Sequence, residues 1–333
     1  MSYEDIGEAA FGPSGRAFVT WVLYSELFGL CALYFIIEGD HLSLLFNNVH
    51  DSAWFMTASA GVLIPTLWFA DLSALSYVCI LGPAASMSLM GVMAYELVAV
   101  GGFPQHIPPG LDSTAVVHLA TLPVSVGLLS FVFGGHAVFP AIYTSMKNPE
   151  EFEGMLDKAY VIVGLTCMGM GSAGYVLYGD AVKDQVTLNL PPGGYASIFA
   201  LALITVNPFA KFALTMDPVA RGLEESLGVD ISAKDGYGPL MARVMRTGLG
   251  LSALGIASGL PFFAELMSLI GSALTLTVSV VFPAACYLRM FGPEMSHKEK
   301  AINWFIVLLG GFGVVAAGPH FVPTFLPHLK HFL

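Results

Sequence analysis

Long apolar stretches recur along this chain, and each is close to the length that carries one helix through a bilayer, about 20 residues for roughly 30 Å of hydrocarbon. They cover residues 17–37, 54–69, 75–100, 117–146, 158–178, 195–214, 240–258, 263–288 and 302–318. Where no water is available, a helix is the structure that satisfies every N–H and C=O within a single segment. The expected fold class is therefore all-α: a polytopic membrane protein with about nine transmembrane helices and the lipid bilayer as its first partner. Composition agrees, since 56% of the 333 residues are hydrophobic and only 11% are charged, whereas a water-soluble domain carries about a quarter charged residues.

Lys and Arg gather in cytoplasmic loops, while Asp and Glu say little about orientation. Nine spans place Arg16, Lys147, Lys158, Lys211, Arg221, Lys234, Arg243, Arg246, Arg289, Lys298 and Lys300 on one side, and Lys183 and Lys330 on the other. This asymmetry predicts a cytoplasmic start. Residues 1–16 then read as a polar cytoplasmic loop, 17–318 as the spans and 319–333, with His320, His328 and His331, as a non-cytoplasmic tail, all within one membrane domain over 1–333. The net charge of −11 comes mostly from acids in loops, where solvation accounts for them. Nucleic acid is not an expected partner. Cys31, Cys79, Cys167 and Cys286 all lie in apolar runs and read as small packing residues rather than disulfide staples.

The fourth span contains FVFGGHAVFP over 131–140. Adjacent glycines relax the backbone and Pro140 has no N–H to donate, so the helix is expected to break near Gly134 and Gly135. Half-helix ends at such breaks supply solute sites in secondary transporters; close packing through small residues is the alternative reading. His136 reads as the histidine deep within a span, suited to a proton relay or to a neutral hydrogen bond. Glu26 sits centrally in the first span, so it must face protein or water, as a coupling proton site or a structural hydrogen-bonding group. Glu96 and Glu265 lie nearer span ends and reach the interface. In the sixth span Thr205, Asn207 and the helix-breaking Pro208 offer oxygen ligands for a small polar solute or, alternatively, interhelical hydrogen bonds, and Lys211 snorkels. The spans carry neither paired aspartates nor a His or Cys pair at metal-ligand spacing, so no metal, cofactor or intramembrane enzyme chemistry is expected.

Four segments carry a resemblance: SYEDIGEAAFG (2–12), ELFGLCALYFIIEGDHL (26–42), FGGHAVFPAIYTSMKNPEEF (133–152) and NPFAKFALTMDPVARGLEE (207–225). With them the chain resembles the amino acid/auxin permease family, and within it the fungal vacuolar amino-acid transporters related to the vesicular inhibitory amino-acid transporter. The resemblance implies a LeuT-type inverted-repeat fold, two five-helix repeats plus one helix, and proton-coupled transport of small neutral amino acids across a vacuolar membrane. The helix break, the intramembrane polar groups and the resemblance together point to a substrate site at Phe133, Gly134, Gly135, His136, Thr205 and Asn207, with Glu26 and His136 as proton-coupling candidates. Family members have two further spans before the first one seen here, so the chain is expected to be truncated from eleven helices. A non-transporting fragment, a regulatory isoform and a small-molecule-binding membrane receptor stay open beside the transporter reading.

Overall fold

In the computed structural model, which describes residues 2–69, 81–99, 122–190, 194–229, 237–260 and 263–329, helices are the only regular elements among the described residues. The 75–80 and 117–121 ends of two expected spans lie outside these residues, as do Val100, Cys79, Lys234, Lys330 and His331. Five helical segments among the described residues are long and apolar enough to cross a membrane: Pro13–Leu45, Pro149–Tyr178, Ser197–Ser226, Phe263–Phe291 and His297–Ala316. Ala84–Val98 is a shorter apolar helix, and Val124–Val138 a shorter apolar stretch of two helical pieces.

The expected N-terminal loop instead holds a helix, α1 (Tyr3–Phe11). Its cause is local. The Ser2 side chain accepts from the Asp5 amide and the Ser2 amide donates to Asp5 Oδ2 at 2.7 Å, a reciprocal cap that satisfies two otherwise orphaned donors. Gly12, at φ +72°, ends the helix. Tyr3, Gly7 and Ala10 form its buried stripe, and the Tyr3 hydroxyl donates to the Val278 carbonyl at 2.5 Å.

Helix α2 (Pro13–Leu45) has 33 residues, about 50 Å at 1.5 Å per residue, and overruns the expected 17–37 at both ends. Glu38, Asp40 and His41, which lie beyond the expected first span, are instead inside this helix, and Glu38 and His41 are buried. Asn47 and Asn48, at φ 51° and 56°, turn the chain into α3 (Ser52–Thr66), whose first turn is capped by Asp51. Then follow α4 (Leu81–Ala99), α5 (Leu122–Val132), α6 (Phe139–Ser145), α7 (Phe152–Tyr178), α8 (Tyr195–Ser226), α9 (Tyr237–Gly259) and α10 (Phe263–Leu269). Two π-helical segments, Ile270–Thr275 and Thr277–Val281, lead into α11 (Phe282–Phe291), and α12 (His297–Leu329) closes the chain.

Two compact units emerge. The first comprises Met1–Glu26, Val116–Gly164 and Ala264–Leu333; the second comprises Leu27–Ala115 and Leu165–Phe263. In the first, α5 lies on the Ile270–Thr275 segment in backbone contact. A Cβ added to Gly271 would fall 1.9 Å from the Gly127 carbonyl oxygen, and the Ser268 hydroxyl donates to the Val124 carbonyl at 3.0 Å. Buried Val19, Leu23, Val278, Phe282 and Cys286 pack with Tyr3 and Ala10 as its apolar core.

In the second unit, α4 packs on α8, and α3 on both α8 and α9. The polar interruption expected from Asp217 onward begins inside α8, which runs on to Ser226. Arg246, read as a cytoplasmic loop charge, is instead 1% exposed. Its guanidinium forks onto Glu224 (Nε to Oε1 2.6 Å, Nη2 to Oε2 3.1 Å) and donates to Asp217 at 3.0 Å and to the Leu67 carbonyl at 3.1 Å. A cation with no water must be paired and hydrogen-bonded, and acids about two turns apart on α8 meet that need where sequence spacing to Arg246 gives no hint of it.

Candidate functional site

The fourth expected span is two half-helices. Helix α5 stops at Val132, and the Gly134 amide donates back to the Phe131 carbonyl at 3.1 Å, a tightened final turn. Gly135 then takes φ +132°, a conformation that side chains other than hydrogen disfavour. The chain restarts as a 3-10 turn over His136–Val138 and continues as α6. Pro140 sits in the first turn of α6, where its missing N–H costs nothing; it starts the second half rather than breaking the first. Among the described residues, the amides of Gly135, His136 and Ala137 reach no backbone acceptor.

Glu26 comes to this break from α2. Its Oε1 accepts from the Thr275 hydroxyl at 2.5 Å, and a Cβ on Gly134 would lie 2.8 Å from Thr275 Cγ2 and 3.9 Å from Glu26 Oε1. Glu26 and Gly134 are thus brought together, with Thr275, which sequence reasoning missed, between them. No spacing rule could have found Thr275, because it lies 249 residues from Glu26 in the chain.

On α7, the Tyr160 hydroxyl donates toward the Phe133 carbonyl at 3.4 Å and lies 3.5 Å from His136 Nε2. The Phe133 and Tyr160 rings stack at 5.8 Å between centroids. His136 Nδ1 is buried without a partner among the described residues. Phe133, Gly134, Phe139 and Tyr160 are among the walls of a cavity of about 150 Å³. The break thus gathers amide donors at 135–137 that reach no backbone acceptor among the described residues, and acceptors at the Phe133 carbonyl and the Glu26 carboxylate. That polarity suits a solute carrying both signs of charge.

Thr205 and Asn207 belong to the second unit. Contrary to the expectation of a break at Pro208, α8 is continuous through Pro208 and Pro218, since neighbouring groups can re-satisfy the backbone around proline in a membrane helix. Continuity separates the two side chains by about 200° around the axis, so they leave α8 on different faces. Asn207 lies against α4, where a Cβ on Gly82 would be 2.9 Å from its Oδ1. Thr205 Oγ1 and Asn207 Oδ1 are buried without partners among the described residues.

The same unit holds a polar cluster that sequence reading placed beyond the first span. Asp40 accepts from the Ser52 hydroxyl and from Gln185 Nε2, the latter at 2.8 Å, and His41 Nε2 lies 2.8 Å from Thr187 Oγ1. Glu38 is 0% exposed, and neither of its oxygens has a partner among the described residues. The only available signal was the EGDH run itself, which reads equally as the polar end of a span.

Comparison with known proteins places these features in context. The profile of a family described as transmembrane amino acid transporter protein matches residues 1–322. The chain is 38% identical over 322 residues to amino acid transporter AVT1B of Arabidopsis thaliana, covering 93% of this chain and 57% of that protein. It is 36% identical over 323 residues to AVT1C of the same plant, covering 94% and 57%, and 32% identical over 328 residues to AVT1J, covering 96% and 75%. The chain thus spans less than two thirds of the length of the first two relatives.

Proposed function

Because the chain belongs to the transmembrane amino acid transporter protein family, we propose that it carries small neutral amino acids across a membrane, with the transport coupled to protons. The observation that carries this reading is the break at Gly134–Gly135, where the 135–137 amides reach no backbone acceptor among the described residues and the Glu26 carboxylate lies nearby. In this reading the amides of 135–137 receive the substrate carboxylate at a half-helix N-terminus. The Phe133 carbonyl and the backbone at Gly134 receive the ammonium group, and His136 contributes from beside Tyr160 of the cavity wall. Glu26 is the first proton-coupling candidate and His136 the second. Thr205 and Asn207, each with an unbonded buried oxygen, are proposed polar contacts in the second unit. The distribution of Lys and Arg supports a cytoplasmic N-terminus, and the resemblance to vacuolar transporters supports a vacuolar membrane.

The test is counterflow of labelled neutral amino acids in proteoliposomes holding the full-length protein. Gly135→Val forces a β-branched residue into φ +132°, strain of about 1–3 kcal/mol at the site itself, and is expected to cut transport at least ~10-fold while the protein still inserts. Unchanged counterflow would remove the break from the substrate path. Glu26→Gln combined with His136→Gln should abolish the pH dependence; its survival would assign coupling to other groups.

A further inference from the structure

We propose that Thr275 is a positioning residue that ties the proton on Glu26 to the geometry of the Gly134–Gly135 break. The inference rests on the reading of that break as the substrate site and of Glu26 as the proton site.

Thr275 is 1% exposed and ends the Ile270–Thr275 π segment. Its two branches point at two different parts of the site. The hydroxyl lies 2.5 Å from Glu26 Oε1. The methyl rests on Gly134, where even one added carbon would come within 2.8 Å of it. Both branches hang on a single torsion, and β-branched side chains in helical backbone have few χ1 rotamers. Turning the hydroxyl away from Glu26 therefore moves the methyl off Gly134.

Other hydroxyls in the same stretch behave differently. Ser272 donates to the Leu269 carbonyl at 3.4 Å and Thr277 to the Ala273 carbonyl at 2.6 Å, both within their own helical run. The Thr275 hydroxyl leaves its element to reach α2. Its base is fixed, because Gly271 and Ser268 seat the segment against α5, and π turns concentrate at functional positions in helices.

The surroundings leave Glu26 dependent on this bond. Among the described residues no ion pair reaches Glu26; Arg16 is committed to Asp5 and Glu8. Burial, with smaller contributions from Cys286 and Glu26, raises the Tyr3 phenol on α1 above its ordinary range, so it stays neutral. Across the break the titratable groups are His136 and Tyr160, themselves 3.5 Å apart. A hydroxyl donating to a carboxylate makes a bond roughly twice as strong as one to a neutral acceptor. When Glu26 takes a proton the bond weakens, the Thr275 torsion is released, and the backbone at Gly134 loses the methyl that braces it.

Two near-isosteric variants separate the branches, read as initial transport rate against pH and as KM in proteoliposomes of the full-length protein. Thr275→Val removes the hydroxyl and keeps the methyl; loss of one charge-assisted bond is expected to move the pH of half-maximal rate upward by about one unit. Thr275→Ser keeps the hydroxyl and removes the methyl; it is expected to hold the midpoint and raise KM several-fold. If Thr275→Val does not reach the membrane, Thr275→Ala replaces it and should show the same midpoint shift. An unmoved midpoint in the hydroxyl-lacking variant, or equal effects of the two variants on KM with no pH effect, overturns the proposal and leaves Thr275 a packing residue. Glu26→Gln distinguishes the levels: if it alone keeps the wild-type pH profile, the proton reading of Glu26 fails, whereas loss of pH dependence there with an unmoved Thr275→Val profile defeats the Thr275 inference alone.

Discussion

Gly271 and Gly127 touch backbone to backbone: a methyl built on Gly271 would overlap the Gly127 carbonyl oxygen at 1.9 Å. This contact presses the π segment onto α5 and sets where Thr275 meets Gly134. Close approach through glycine is the usual means by which membrane helices gain packing energy, since lipid removes the hydrophobic drive between them.

Gly271→Ala should therefore push the two elements apart and destabilise the protein by about 1–3 kcal/mol, the usual range for overpacking. Gly91→Ala is the control, because nothing lies within 4 Å of a Cβ there. Thermal unfolding in detergent should separate the two, with a lowered midpoint only for Gly271→Ala.

Arg246 holds three elements of the second unit through Glu224, Asp217 and the Leu67 carbonyl. Arg246→Ala leaves two acids and a carbonyl facing each other in a buried site, with an expected cost of about 3–5 kcal/mol. Arg246→Lys should recover only part, because an ammonium cannot fork onto Glu224. Yield of monodisperse protein and its unfolding midpoint check the order wild type, Lys, Ala.

Glu38 has no partner for either oxygen among the described residues and no exposure. An unsatisfied buried polar group costs about 1–3 kcal/mol. Glu38→Met, of similar length and apolar, is expected to raise the unfolding midpoint; a lowered midpoint would mean that the carboxyl holds a partner essential to the fold.

Helix α1 should loosen in acid. The Asp5 carboxyl is held below its ordinary range, chiefly by the Ser2 amide and then by Arg16. A depressed carboxyl stabilises the folded form at pH values above its unfolded value of about 3.9, and this contribution is lost as pH falls through the lower folded value. Amide hydrogen exchange over residues 3–11 should be protected at pH 6 and lose protection in that acid window, and Asp5→Asn should flatten the dependence; pH-independent protection in the unaltered protein would refute the role of the cap.

Some of this was legible in the residues alone. Lengths of apolar sequence and the covalent limits of proline and glycine are local properties, so the helices and the break at Gly134–Gly135 follow from them without knowledge of any neighbour. Even the cap at Ser2 and Asp5 is local, although a reading tuned to spans passed it over as loop. Where the first span ends was harder, because EGDH at 38–41 looks like a polar terminus until α3 and the 179–190 connection close over it.

Partners distant in the chain were not legible. Thr275 stands 249 residues from Glu26, Arg246 stands 22 from Glu224, and Thr205 and Asn207 diverge only because α8 stays continuous through Pro208. Sequence determined which segments are helical and which bonds the backbone must give up; tertiary packing decided which side chains answer for them, since a hydrogen bond depends on ångström distances that neither hydrophobic period nor residue spacing encodes.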